Sequence, residues 1–132
     1  MIRLIIPSIP VAKGRPRLSK WGTYTPKKTK DYEAYVQSLW AQQYGNMEPS
    51  QKPIKCDLTF EFEPPKSYTK TMRKRCLQEI WHVKKPDTDN LIKSVTDSLN
   101  GLAYVDDSQI VVMTVEKKYG EESRTVIELF EL

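Results

Sequence analysis

The sequence predicts a mixed α/β fold, a small mixed sheet flanked by helices, on three observations. Residues 54 to 62 (IKCDLTFEF) alternate apolar and polar, as a half-buried strand does. Two segments, about Thr29 to Tyr44 and Thr88 to about Asn100, carry apolar residues at helical spacing. The composition, 39% hydrophobic and 29% charged, is that of an ordinary globular domain rather than a disordered chain. A chain of 132 residues is expected to fold as a single domain, residues 1–132, burying roughly two-thirds of its unfolded surface.

Taken in order, residues 2 to 6 (IRLII) form the first expected strand, ended by the Pro7 to Pro10 segment. Residues 11 to 27 read as a basic loop containing glycine and proline, with little that could enter a core. In the first helix Tyr32, Tyr35, Val36, Leu39 and Trp40 recur on one side, and Gly45-Asn46 supplies the stop. The alternating strand puts Ile54, Cys56, Leu58, Phe60 and Phe62 on one face before Pro64-Pro65 ends it, and a short helix is expected over about Thr69 to Gln78. Leu91, Val95 and Leu99 stripe the next helix, closed by Gly101. Ile110 to Tyr119 and Thr125 to Leu132 read as strands joined through GEES, which predicts an antiparallel hairpin.

Several function classes are disfavoured. Pro7 and Pro10 break the N-terminal apolar run and no small-residue cleavage site follows, so no secretory signal is expected. No apolar run is long enough to span a membrane, so no membrane partner is expected. Cys56 and Cys76 form no CxxC pair and His82 is the sole histidine, which argues against a disulfide framework, a zinc finger and a Ser-His-Asp site. A reducing cytoplasm is the expected compartment.

The formal charge of +4 is unevenly spread. Residues 1 to 85 hold 17 Lys/Arg against 7 Asp/Glu, and residues 86 to 132 hold 4 against 10. One charge run is usually a solvated face; two segments of opposite sign suggest a polyanion-binding surface beside a cation-holding site. Lys13, Arg15, Arg17, Lys20, Lys27, Lys28 and Lys30 precede the first acidic residue, Asp31, with Trp21 and Tyr24 among them. Cations neutralise phosphates and aromatic faces stack on unpaired bases, so the mixture suits a nucleic-acid surface. Two readings of the aromatics stay open at this level, stacking on bases and packing beneath the loop.

Five aspartates fall within 21 positions, residues 87 to 107. Asp87 and Asp89 stand at the start of the second long helix, where carboxylates can simply cap free N–H groups. A second pair, Asp106-Asp107, follows that helix, and the GLAYV turn can return the chain so that the pairs converge. Clustered carboxylates repel without a compensating cation, and oxygen-only ligands suit Mg²⁺ or Mn²⁺. Asp89, Lys93 and Asp97 share one helix face at i, i+4, i+8, which fits a surface ion-pair ladder as well as it fits catalysis. In the second case Lys93 would offset charge on a phosphoryl group. An EF-hand is excluded because Leu91 and Ile92 occupy the fifth and sixth loop positions, and no glycine loop supports a sugar-nucleotide transferase.

The segment KPDTDNLIKSVTDSLNGLAYVDDSQIV closely resembles the signature region of RusA-like Holliday-junction resolvases, the crossover-junction endodeoxyribonucleases. GRPRLSKWGTYTPKKTKDYE resembles that family's Arg-Pro-Arg and Tyr-x-Pro element, so the likeness covers most of the chain. The resemblance implies a RusA-like homodimer that resolves branched DNA by paired, Mg²⁺- or Mn²⁺-dependent nicks, in DNA recombination and repair. It places metal carboxylates at Asp87, Asp89 and Asp107, with Asp106 and Asp97 as weaker candidates, and the essential lysine at Lys93. DNA contacts are expected from Lys13, Arg15, Arg17, Lys20, Lys27, Lys28 and Lys85, and a dimer contact from the strands 110 to 115 and 126 to 130. Two rivals remain at this level: a nuclease for other DNA structures, and a non-catalytic DNA-binding protein.

Overall fold

The structure is a computed structural model that describes residues 1–132. It contains three α-helices, a four-stranded mixed sheet and a separate two-stranded ribbon, so the mixed α/β class holds. The backbone gathers into two compact units, each assembled from separated segments.

One unit comprises Met1–Pro10, Ile54–Lys85 and Ile110–Leu132. Its strands are β1 (Ile2–Ile6), β4 (Ile54–Phe62), β5 (Ile110–Tyr119) and β6 (Arg124–Glu131), in the order β1-β6-β4-β5. β1 and β4 fall where the sequence places them, over residues 2 to 6 and 54 to 62. Ile54, Cys56, Leu58, Phe60 and Phe62 are all buried, and cross-strand neighbours Leu4, Ile127 and Leu58 continue the apolar row. Helix α2 (Lys70–Gln78) begins after Thr69, whose hydroxyl accepts from the Met72 amide at 3.2 Å.

The expected hairpin of the last two strands is not formed. β4 lies between them, antiparallel to β6 and parallel to β5. The link passes over the end of β4: the Gly120 amide donates to the Phe62 carbonyl, and the Glu63 amide to Ser123 Oγ, each at 3.0 Å. A four-residue link reaches roughly 13 Å, more than the roughly 10 Å between alternate strands, so its shortness does not require adjacency. Burial decides the order instead. β4, buried at every second residue, takes an interior place, whereas Val111, Val112 and Met113 of β5 lie exposed at the edge.

The other unit comprises Val11–Pro53 and Pro86–Gln109. It holds the ribbon β2 (Arg17–Ser19) and β3 (Gly22–Tyr24), helices α1 (Lys27–Tyr44) and α3 (Thr88–Ser98), and a 3₁₀ turn at Asp107–Gln109. Helix α1 buries Thr29, Tyr32, Val36 and Trp40 along one stripe and packs on α3, whose Leu91, Ser94, Val95, Thr96 and Ser98 are buried. Gln37 Nε2 donates to the Ser98 carbonyl at 3.3 Å. Beyond α3, Gly101 adopts φ 77°, a left-handed conformation that favours glycine, and the buried Tyr104 hydroxyl donates to the Thr96 carbonyl at 2.6 Å. That return sends Asp106 and Asp107 back toward the end of α3.

Candidate metal centre and nucleic-acid interface

Helix α3 and the turn after it position the aspartates. Asp87 occupies the N-cap position yet makes no side-chain capping bond, so capping by hydrogen bond does not account for it. Asp89 lies exposed in the first turn, where the positive end of the helix dipole favours a carboxylate. Asp97 lies at the other end, eight residues on, or roughly 12 Å of helix rise from Asp89.

The two members of the Asp106-Asp107 pair differ. Asp106 Oδ2 accepts from the Ser108 amide at 3.0 Å, and that hydrogen bonding holds its carboxyl below the usual range. Asp106 thus caps the 3₁₀ turn. Burial pushes Asp107 up, as do a hydrogen bond shared with Asp97 and the negative charges of Asp106 and Asp97, against a lowering hydrogen bond with Asn100.

Asp97 is held in turn by Lys13, whose Nζ donates to Asp97 Oδ2 at 2.5 Å and stands 3.7 Å from Glu33. These partners, with the Asp97 hydrogen bond the largest cause, raise the Lys13 pKa despite partial burial. The Lys13 amide also donates to the Asn90 carbonyl at 2.9 Å, and the Gly14 amide to Thr29 Oγ1 at 2.9 Å. A Cβ at Gly14 would stand 3.0 Å from Pro26 Cγ and Thr29 Oγ1, so the close approach favours glycine. The start of the basic segment is thereby fastened to both helices.

Of the two readings left open for Asp89, Lys93 and Asp97, the ion-pair ladder is absent: Lys93 is exposed and pairs with neither aspartate, and Asp97 pairs with Lys13. Lys93 and Asp97 instead line a hollow of about 180 Å³ with Lys13, Arg15 and Asn90. A second hollow of about 340 Å³ is lined by Arg15, Arg17, Lys28 and Thr29.

Of the expected cations, Arg15, Arg17, Lys20, Lys27 and Lys28 are exposed, while Lys13 is part-buried in its ion pairs. Lys85 is exposed and belongs to the unit that carries the sheet. Helix α1 begins at Lys27, two residues before the expected Thr29, so Lys27 and Lys28 stand in a first turn that has no acidic residue. No three carboxylates gather closely enough to hold a metal ion, so Asp107 meets Asp97 while Asp87 and Asp89 remain outside the pair. Sequence reasoning missed the Lys13–Asp97 pair and the Asn100 contact. Asp97 had a signal in its place on the Asp89/Lys93 helix face, whereas a pairing across 84 positions leaves no periodic trace.

Paired carboxylates and an acid-free cationic arm within one compact unit define a class of protein suited to handling nucleic-acid phosphates. The chain belongs to the RusA endodeoxyribonuclease family, whose model, described as Endodeoxyribonuclease RusA, matches residues 7–130. It is 36% identical over 138 aligned positions to the uncharacterised protein YqaN of Bacillus subtilis (strain 168), covering 99% of this chain and 96% of that one. It is 37% identical over 81 residues to a crossover junction endodeoxyribonuclease rusA of Lactococcus phage r1t, covering 61% of this chain and 56% of that one. A 76-residue likeness, 30% identical, to a glucose-6-phosphate isomerase of Fusobacterium nucleatum subsp. nucleatum spans 17% of that protein, too little to carry its activity.

Proposed function

We propose that this chain is a Mg²⁺- or Mn²⁺-dependent endonuclease that resolves Holliday junctions by paired nicks in DNA recombination and repair. The observation that carries the metal reading is Asp107, pressed against Asp97 and pushed up by burial and like charge. A hard divalent cation would relieve that conflict, and the donor set is oxygen only, which fits Mg²⁺ or Mn²⁺. Asp107, joined by Asp87 and Asp89, which this structure does not gather with it, would hold the ion. When bound it would lower the pKa of a water and offset charge on the phosphate. Asp106, already spent on its turn, is the weaker candidate of its pair.

The remaining roles fall to the chain's own groups. Lys93 opens onto the same hollow as Arg15 and Asp97, so its ammonium can approach a phosphate placed there and stabilise charge developing on its oxygens. Arg15, Arg17, Lys20, Lys27 and Lys28 neutralise flanking phosphates and hold the strand, independently of sequence. The phage relative's name, crossover junction endodeoxyribonuclease, supports a four-way junction as the substrate.

The test is incubation with a mobile four-way junction and Mg²⁺ beside its component duplexes. Paired nicks in the junction alone are expected; cutting of duplex and junction alike would make this a general nuclease. Asp87→Asn, Asp89→Asn and Asp107→Asn should each abolish cleavage while junction binding persists. Lys93→Ala should slow it on the order of a hundredfold or more. Binding without scission in every divalent metal would leave a non-catalytic DNA-binding protein.

A further inference from the structure

The β2–β3 ribbon carries apolar side chains that nothing in the chain covers. Its residues are all exposed, Leu18 at 84% and, in the connecting turn, Trp21 at 86%. Tryptophan is on average a highly buried residue, and a three-residue ribbon has no sheet face under which to bury one. Packing beneath the loop is therefore excluded for Trp21.

The turn that presents Trp21 is fixed. Ser19 Oγ accepts from the Trp21 amide at 3.2 Å and donates to the Gly22 carbonyl at 3.1 Å, while Gly22 takes φ 118°, open to glycine and strained for other residues. The backbone is pinned and the indole projects. Lys20 Nζ stands 5.1 Å from its ring centroid, a cation–π contact that leaves the rest of the ring open. Arg17 lies within the ribbon, Lys27 and Lys28 follow it in sequence, and no acidic residue occurs before Asp31.

We infer that the β2–β3 ribbon is a base-stacking wedge, in which Trp21 stacks on a DNA base whose own stacking is interrupted at a branch point. The inference rests on the DNA-binding reading above and deepens it. Charge complementarity selects a polyanion, and the flat, uncovered indole selects within polyanions a free base face. Intact duplex offers none, because each base is covered by its neighbours. A four-way junction offers unstacked steps where its strands exchange. On this account the phosphate contacts supply affinity for any DNA, while Trp21 supplies preference for branched DNA.

The experiment uses the full chain carrying Trp81→Phe, because Trp81 is also exposed whereas Trp40 is buried. Titration with an immobile four-way junction should quench Trp21 emission, and a linear duplex of equal length should not. Trp21→Ala should weaken junction binding about tenfold or more, as loss of one base stack does, with duplex binding unchanged. Trp21→Phe, which keeps a flat ring, should recover part of the loss. Wild-type preference for the junction that survives Trp21→Ala overturns this inference alone, as does an equal loss on both DNAs. A wild-type protein that binds junction no better than duplex overturns the junction reading itself. A Trp21 response to phosphatidylserine-containing vesicles and not to junction DNA would make the ribbon a membrane contact and also overturn the wedge.

Discussion

Asp107 lies beside the carboxyls of Asp97 and Asp106, and burial and their negative charge push it up, an arrangement that costs stability when all are ionised. Asp107→Asn removes one charge and keeps the shape. In EDTA this variant should melt a few degrees above wild type, although it should no longer nick DNA. Mg²⁺ should raise the wild-type melting temperature and leave that of Asp107→Asn nearly unchanged, since a ligand stabilises only the state it binds. A variant that melts lower than wild type in EDTA would make Asp107 a structural residue. At this scale the sequence distinguished residue types better than partners. It drew attention to five aspartates, but the choice between Asp106 and Asp107 depends on which one meets the Ser108 amide, and no spacing rule encodes that.

Among the elements, the short segment after α2 carries a group that responds to pH. His82 stacks on Phe62 with ring centroids 4.3 Å apart and meets the edge of Tyr119 at 5.0 Å. Burial lowers its pKa below 6.5, helped by Lys117 and Lys84 and opposed by a backbone hydrogen bond; the buried Nδ1 has no partner. The folded state therefore favours neutral imidazole. Above the unfolded pKa the histidine is neutral in both states; as pH falls through it, the unfolded chain takes up a proton that the folded chain disfavours, and stability is lost. The melting temperature should fall between about pH 7 and pH 5.5, and His82→Phe should flatten that part of the curve. An unchanged slope would place the responsible group elsewhere. Elements that bury a stripe or a face, namely β1, β4, α1 and α3, were legible because burial imposes a period on the sequence. The β2–β3 ribbon was not, since none of its residues is buried and no alternation marks it. The order of β5 and β6 was missed for another reason: periodicity marks strands but not their neighbours.

For the whole molecule, the proposed reaction sets a requirement that one copy does not meet. Two matched cuts in strands related by approximate twofold symmetry call for two sites, and a C₂ dimer is the commonest way to supply them. β6 lies inside the sheet with Val126, Ile127 and Leu129 buried, which removes it from the expected contact. β5 remains, an edge strand bridged to Trp81 at Lys118 but with Val111 62%, Val112 46% and Met113 36% exposed toward its other end. Sedimentation at micromolar concentration should give about twice the 15.4 kDa chain mass, and Val112→Lys should return it toward the monomer. A dimer untouched by that substitution would lie on another surface. The sheet order also governs how the polypeptide can fold. β1 pairs only with β6, Ile2 facing Leu129, and both partners of β4 are later strands. As the chain is synthesised, Leu4, Ile6 and the apolar face of β4 have no strand to join until residues 110 to 131 have emerged. Such long-range pairing slows folding and exposes apolar surface meanwhile. A ribosome stalled before β6 would therefore hold a sticky, unclosed precursor, a client for chaperones rather than a smaller working nuclease.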